Sequence, residues 1–517
     1  MKLVKIIPRL FVFVFTFCFL IGCISDNYNN VPPLDREPVI EPDYSGVTIP
    51  TNIAPMNFNI VEDGELFIIR ATSSNGSGLQ LKSSDGRVRF PMRAWKKLLA
   101  VSQKGKIEIE ILSEDNEGNI IKYEPFNMNV VSEPVDPYLW YRLLYPGYES
   151  WLDLKIVQRS TENFKEASIF ENQLLENNCV NCHSSQQNNP EKFLLHVRGS
   201  MGGTYFVDGK EVTRRALQTE QMPASAVYPA WHPSGKYVAF SSNKTVQGFH
   251  MRPEKNIEVY DLFSSMVIYD TGKNEIAAIE ESDTVKYMET FPSWSPGGDF
   301  LYYCRAIQVE EGFDYRDVKY NLIRKSFDQN SGVFGNAELV FNAQEINKSV
   351  SFPVISPDGQ YLVLTLHDYG TFSIWHKEAD LYLLNLKSGK VDRMDLVNSD
   401  ETESYHSWSS NGKWLVFSSK RGNGLAARPY FAYFGSPENI GKPFVLPQKD
   451  PTLYERLEKT FNRPEFLTGK IRTGPRDFAR TSKKEAVNAS WAGEKTIIVP
   501  NELKKQTSAE NEEKEIY

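Results

Sequence analysis

Cysteine is scarce in this sequence, with five residues among 517. One pair alone, Cys179 and Cys182, has the C-x-x-C spacing. Because a structural zinc site usually takes two such pairs, the sequence argues against a zinc-stabilised domain. The apolar run near the start, from Leu10 to Ile21, is too short to cross a membrane. The net charge of −8 argues against nucleic acid as a partner.

The cysteine pair belongs to the pentapeptide Cys179-Val180-Asn181-Cys182-His183, whose C-x-x-C-H pattern is typical of covalent haem attachment. In such sites each thiol adds to one vinyl group of the porphyrin, and the imidazole becomes the proximal iron ligand. The pattern therefore predicts one covalent haem c held by Cys179 and Cys182, with His183 on the iron. A thioredoxin-like dithiol would require a βαβ setting, which is absent here. A disulfide or a chance spacing is the remaining alternative.

Residues 1–22 have the features of a secretory signal peptide, since a basic start precedes the short apolar run. The run ends in Leu20-Ile21-Gly22-Cys23, which resembles the bacterial lipobox. Cys23 is therefore expected to be the lipidated first residue of the mature protein, anchored to a membrane. Ile24 stands where an aspartate would resemble an inner-membrane retention signal, so we expect an outer-membrane lipoprotein of the cell envelope that faces the periplasm or the surface. An ordinary signal peptide with an incidental cysteine is the alternative.

Three segments follow the signal peptide. Residues 23–46 interleave prolines with acidic residues and are expected to be an extended tether. Residues 47–134 alternate apolar and polar positions between turn residues, which predicts an immunoglobulin-like β-sandwich. Residues 135–192 are expected to contain a short helical segment for haem attachment, because apolar residues recur there at helical spacing. These residues are Phe164, Ala167, Phe170, Leu174 and Leu175.

The distal iron ligand is chosen among three candidates. Met201 is favoured because its setting, Gly199-Ser200-Met201-Gly202-Gly203, lets the backbone approach a haem closely. Met222 and His196 are the alternatives, and an open sixth position is also considered. A methionine or histidine there would indicate an electron carrier, whereas an exchangeable water would indicate an enzyme. Cys304 lies among apolar residues and is expected to be a buried, unpaired thiol.

The second half of the chain repeats itself. Four passages align, and each predicts a strand, a tight turn and a second strand. Pro-Asp-Gly-like centres supply the fixed φ and the left-handed position that such turns need. The passages begin at Tyr228, Phe291, Phe352 and Tyr405 and read Y-P-A-W-H-P-S-G, F-P-S-W-S-P-G-G, F-P-V-I-S-P-D-G and Y-H-S-W-S-S-N-G.

These passages resemble the W-S-P-D-G repeats of TolB-type β-propellers. The resemblance implies a propeller over residues 193–500 with five to seven blades, six being favoured, in a chain that is mainly β. Strands at 193–197 and 204–207 are expected to begin it, and strands at 489–491 and 496–499 to close it. Residues 451–478 are expected to form an inserted or edge helix. The charged residues 501–517 are expected to be disordered.

From residue 137 onward the chain resembles TolB-like propeller lipoproteins that carry an embedded C-x-x-C-H motif. The resemblance implies a membrane-anchored mono-haem cytochrome that transfers electrons outside the cytoplasm while its propeller docks a redox or envelope protein. Three alternatives stay open: an envelope enzyme with a nitrite-reductase-like arrangement, a protein-binding scaffold with a structural haem, and a cytochrome c biogenesis factor. No G-x-S-x-G elbow occurs, which disfavours a propeller joined to a hydrolase. We therefore assign no catalytic residue, and an enzyme is less favoured than an electron carrier or binding protein.

Overall fold

The computed structural model describes residues 31–146, 153–222, 224–252, 255–279, 285–310, 312–493 and 497. The expected signal peptide, the lipidated Cys23 and the expected disordered tail lie outside these residues. So do residues 23–30 of the expected tether and most of the expected strand at 496–499. Within the described residues the chain is mainly β, and no helix is long and apolar enough to span a membrane.

The first described part of the chain, here called the N-terminal unit, consists of two sheets and a helix. The larger sheet contains Thr48–Ile49, Leu66–Ser73, Gly78–Ser83, Gly105–Glu114, Ile120–Lys122 and Phe126–Val130. The smaller sheet contains Ile40–Glu41, Phe58–Ile60 and Arg87–Val88. The helix, Met92–Val101, buries Trp95, Leu98 and Leu99 against them.

The N-terminal unit departs from the sequence prediction in two respects. It contains the helix Met92–Val101 in addition to strands, and the indole of Trp95 in this helix donates a hydrogen bond to the Ile53 carbonyl. The expected tether is also partly folded, since Ile40 pairs with Ile60 and Tyr44 is buried. These two apolar side chains enter the core of the unit, a contact that the proline-rich composition of their segment did not reveal.

Six antiparallel sheets follow, called sheets I to VI. Sheet I contains Tyr138–Leu144, Lys155–Ser160, Glu166–Glu171 and the distant Thr460–Leu467. Sheet II contains Val180–Ser185, Lys192–Val197, Gly203–Asp208 and Glu211–Ala216. Sheet III contains Ala226–Trp231, Tyr237–Arg252, Lys255–Asp270 and Glu275–Ala278. Val487–Asn488 and Ser490–Trp491 add parallel edge strands to sheets II and III.

The last three sheets also follow one another along the chain. Sheet IV contains Tyr287–Trp294, Phe300–Ile307, Asn321–Asp328 and Val333–Phe341. Sheet V contains Ser349–Ile355, Tyr361–His367, Asp380–Asn385 and Val391–Arg393. Sheet VI contains Glu403–Trp408, Trp414–Ser419, Arg428–Ser436, Asn439–Ile440 and Phe444–Val445. The short helices are Asn172–Leu175, Tyr315–Asp317, Ala343–Ile346, Ser373–Trp375, Leu453–Arg456 and Pro475–Ser482.

The six sheets surround a shared central cavity. Its wall is made by the first strands of sheets II to VI and by Thr460–Leu467 of sheet I. Apolar clusters fill the spaces between neighbouring sheets. Antiparallel sheets arranged in this way around a channel form a β-propeller, the fold that the repeats predict.

The ring is closed by strands from opposite ends of the propeller region. Tyr138 pairs with Leu467 and Leu144 pairs with Thr460 in sheet I. The expected strand at 489–491 does not close the ring, because Ser490–Trp491 pairs with the edge of sheet III. A helix across 451–478 is also wrong, because this segment contains the strand Thr460–Leu467 between two short helices. The apolar residues of this segment, such as Phe461 and Phe466, pack into the core shared with the N-terminal unit.

The expected helical segment before the motif is also mainly strand. Residues Glu166–Glu171 form a strand, and a single turn of 3-10 helix, Asn172–Leu175, follows. Phe170 and Leu175 are buried because they pack in one cluster with the distant Phe478. These distant contacts, and not a helix, account for the apolar spacing in the sequence.

Candidate functional site

The C-x-x-C-H motif lies at the start of sheet II, on its innermost strand, Val180–Ser185. The imidazole of His183 is 1% exposed, and its ring centroid lies 4.5 Å from that of Trp140 in an edge-on contact. Its Nε2 has no hydrogen-bond partner among the described residues. Burial, and then the charges of Arg463 and Arg142, hold the pKa of His183 well below its usual range. His183 is therefore a neutral imidazole with a free nitrogen.

A β-bulge lies inside the motif. The pairing with strand Lys192–Val197 shifts between Val180 and Cys182, so that Asn181 is the extra residue. Nη1 of Arg142 holds this bulge by donating to the carbonyls of Val180 (3.1 Å) and Asn181 (3.0 Å) and to the Asn181 side chain (3.0 Å). The bulge locally changes which way successive residues face, because it adds one residue to the alternation of the strand.

Cys179 and Met201 pack against the same apolar cluster. Both are half-buried and pack against the apolar cluster between sheets I and II that contains Trp140. The backbone N–H of Met201 donates to Oδ1 of Asn178, next to Cys179 in the chain, at 2.7 Å. The structure thus places Cys179, Met201 and Trp140 in or against one cluster, and Trp140 contacts the imidazole of His183.

The two alternative distal residues lie elsewhere. Met222 is buried in a different cluster, between sheets II and III. His196 is opposite Cys182 in the strand register, whereas His183 is opposite Leu195, so the two imidazoles face opposite sides of sheet II. Burial lowers the pKa of His196 to about 3, and its Nδ1 contacts Oγ1 of Thr204 at 3.2 Å. Of the three candidates, Met201 is the one placed with Cys179.

The second feature is the central cavity, which has a volume of about 500 Å³. Tryptophans of the repeats form hydrogen bonds between neighbouring sheets in the wall of the cavity. The indole N–H of Trp231 donates to the Ser184 carbonyl (3.2 Å), that of Trp294 to Ala230 (3.1 Å) and that of Trp408 to Val354 (3.2 Å). These bonds explain why the repeats carry tryptophan three times at this position.

Four aromatic residues form an arc around the cavity, here called the aromatic arc. Its members are Tyr228, Phe291, Phe352 and Tyr405, with ring centroids 4.7, 4.1 and 4.8 Å apart in succession. All four have positive φ, between 47° and 54°, at a bulge of the innermost strand. Such a backbone is unfavourable for bulky residues and costs about 1–3 kcal/mol at each position. The packed wall therefore compensates for a repeated local strain.

Arg463 continues the aromatic arc in sheet I. Its φ is also positive, at 51°, and a proline follows it as in three of the repeats. Its Nη2 lies 3.9 Å from Oε1 of Glu465, while its Nη1 is buried without a hydrogen-bond partner among the described residues. Burial raises the pKa of Glu465 to about 7, although the carboxylate accepts a hydrogen bond from Trp140 at 3.2 Å. The sequence analysis missed both residues, and the Arg463-Pro464 step was the signal that could have found them.

The histidines of the repeats have structural partners. Nε2 of His232 donates to the Gly298 carbonyl at 3.0 Å, and Nε2 of His406 donates to the Val363 carbonyl at 2.8 Å. Burial lowers the pKa of His406 to about 4. Both imidazoles therefore connect neighbouring sheets. Cys304 is buried in a cluster between sheets, and its thiol pKa is raised by that burial.

No protein-family model and no curated protein match the chain. Several solved structures are similar to part of it. They include the β-propeller domain of the Trilobed protease from Pyrococcus furiosus, 12% identical over 74% of this chain and 95% of that one, with a TM-score of 0.32. An auxiliary nutrient binding protein from Bacteroides thetaiotaomicron is 11% identical over 77% and 98%, with a TM-score of 0.33. An oligogalacturonate lyase from Vibrio parahaemolyticus is 11% identical over 58% and 92%, with a TM-score of 0.32.

Proposed function

We propose that this β-propeller carries one covalent haem c, attached through Cys179 and Cys182 and ligated by His183, and transfers electrons outside the cytoplasm. The observation that carries the proposal is the buried, neutral imidazole of His183 with its free Nε2. A nitrogen ligand must be unprotonated to bind iron, and a buried polar atom without a partner is unfavourable unless something binds it. The donor set of two thiols and one imidazole fits a haem c.

The bound haem would supply one-electron redox chemistry. The residues around it have definite tasks in this proposal. Arg142 holds the bulge inside the motif, so that it positions His183 on the strand. The indole of Trp140 packs against the imidazole ring and restricts its rotation. Burial, and then the positive charges of Arg463 and Arg142, keep that imidazole unprotonated, because each disfavours a further cation there.

Met201 would supply a second ligand to the haem iron, since it packs against the same cluster as Cys179. A six-coordinate iron does not readily bind a substrate, so the protein would act as an electron carrier and not as an enzyme. The six sheets would serve as six blades that dock a redox or envelope partner. The lipidated Cys23 would anchor the chain to the outer membrane.

The test is to produce the full chain in a host that matures c-type cytochromes and to stain it for haem after denaturation. The parent and a Cys304→Ala variant, which removes a thiol outside the motif, should stain equally. A variant with Cys179→Ala and Cys182→Ala should not stain. The reduced and oxidised spectra of the parent should include a methionine-to-iron charge-transfer band that Met201→Ala abolishes.

Two outcomes would overturn the attachment site. One is a haem-free parent from a host that matures a control cytochrome. The other is a double cysteine variant that keeps its haem stain. A haem-loaded parent whose spectrum is unchanged by Met201→Ala would retain the attachment site and refute the distal ligand.

A further inference from the structure

We infer that the central cavity of the propeller, next to the strand that carries the C-x-x-C-H motif, is a binding site for a ring-bearing organic carboxylate. The inference does not rest on the proposed haem. It rests on two features of the cavity: the aromatic and proline side chains in its wall, and an arginine nitrogen that is buried without a hydrogen-bond partner among the described residues.

The wall of the cavity suits a flat ring. The aromatic arc covers one side of it, and prolines from the repeats, Pro229, Pro292 and Pro353, lie beside the arc. Ring faces and edges offer stacked and edge-on contacts to another ring. The volume of about 500 Å³ lies within the range of cavities that hold small organic molecules. The aromatic arc also keeps an unfavourable backbone at four positions, as residues at binding sites often do.

One charged donor lies in the wall near these rings. Arg463 lines the cavity, and its Nη1 is buried without a partner among the described residues. Leaving a charged donor unsatisfied is costly, whereas a carboxylate satisfies a guanidinium with two parallel hydrogen bonds. The geometry therefore points to an anionic group as the part of the ligand that binds Arg463.

Glu465 determines how well the cavity accepts that anion. Its carboxyl lines the cavity 3.9 Å from Arg463, and a charged carboxylate there would repel a bound anion. Burial raises the pKa of Glu465 to about 7, so near neutral pH this carboxyl only partly offsets the positive charge of Arg463.

Other ligand classes fit less well. A cationic ligand would meet the charge of Arg463. A phosphate without a ring would lose strongly held water against aromatic and proline side chains and gain little from them. A carboxylate on a flat ring uses both the charge and the wall.

The experiment is isothermal titration of the full chain with 2-naphthoate, a flat ring with one carboxylate, and with neutral 2-naphthalenemethanol as the matched ligand. The chain is used as purified, with any haem it carries. We expect 2-naphthoate to bind more tightly than the alcohol. Arg463→Met should weaken naphthoate binding by about tenfold or more and leave the alcohol unaffected. Arg472→Met, which changes an exposed arginine on the same segment, is the control and should bind both ligands like the parent.

The inference is refuted if 2-naphthoate does not bind, if the alcohol binds as tightly, or if Arg463→Met leaves naphthoate binding unchanged. The comparison of the two ligands on the parent chain needs no variant, so a folding defect in Arg463→Met would not prevent a decision. Haem staining reports on the motif independently, so the failure of one proposal is distinguishable from the failure of the other.

Discussion

Replacing Gly298 with alanine tests how tightly neighbouring sheets of the propeller are joined. Gly298 lies in the turn of sheet IV with φ of +81°, and a Cβ there would lie 2.2 Å from Nε2 of His232 in sheet III. Gly359 occupies the same turn position in sheet V with φ of +71°, where a Cβ would come no closer than 3.9 Å to Pro296. The two glycines differ mainly in what an added methyl group would meet.

The expected magnitudes follow from this difference. Both alanine variants adopt a left-handed backbone, at a cost of about 1–2 kcal/mol. In Gly298→Ala the imidazole must also move, so that His232 loses its 3.0 Å hydrogen bond to the Gly298 carbonyl and its packing on Trp294. Leaving a buried donor unsatisfied adds about 1–3 kcal/mol. We therefore expect Gly359→Ala to cost about 1–2 kcal/mol and Gly298→Ala about 2–5 kcal/mol.

Equilibrium unfolding in urea measures both costs, provided that the denaturant dependence is the same in all variants. A second measurement isolates the clash. In a His232→Ala background, Gly298→Ala should cost no more than Gly359→Ala, because the imidazole is gone. Equal losses for the two glycine variants in the parent background would refute the reasoning.

Two further predictions concern buried polar groups of the propeller. Burial raises the pKa of Asp261 to about 7. The native state therefore keeps a proton on this carboxyl that the unfolded state loses from about pH 4 upward. As a result, the free energy of unfolding should fall by at most about 4 kcal/mol as the pH rises from about 4 to 7. Asp261→Asn should remove that part of the fall, and a series of urea titrations between pH 4 and 8 that shows the same slope in both proteins would contradict the prediction. Trp231→Phe removes the hydrogen bond to the Ser184 carbonyl and should cost about 1–2 kcal/mol in urea unfolding, with Trp408→Phe as its counterpart in sheet VI. A loss below a few tenths of a kcal/mol in both would show that these bonds do not hold the sheets together.

The repeated hairpins of the propeller were predictable because their causes are local. Each turn needs a left-handed residue, and glycine provides it at 235, 298, 359 and 412, where φ lies between 66° and 81°. Alternating apolar residues on either side then predict the strands. Four such passages at similar spacing were enough to indicate a propeller without any knowledge of distant contacts.

The predictions that proved wrong share a different cause. Phe170 and Phe461 lie in segments with helical spacing of apolar residues, yet both lie in β-strands in the structure. The apolar side chain at each position packs on a partner hundreds of residues away, such as Phe478 for Phe170. A local period cannot distinguish such contacts from a helix, because both place apolar residues at intervals of three or four.

The sequence by itself determined the turn pattern of the propeller, since that pattern depends on residues a few positions apart, and it predicts haem attachment at the C-x-x-C-H motif for the same reason. Only the tertiary structure decided how the ring closes, because the pairing of Tyr138–Leu144 with Thr460–Leu467 joins segments more than 300 residues apart. That closure brings Arg463 into line with the aromatic arc and its charge close to His183. The unprotonated imidazole of one candidate site and the arginine beside the aromatic arc in the other therefore depend on burial and long-range pairing. No local pattern of residues contains this information.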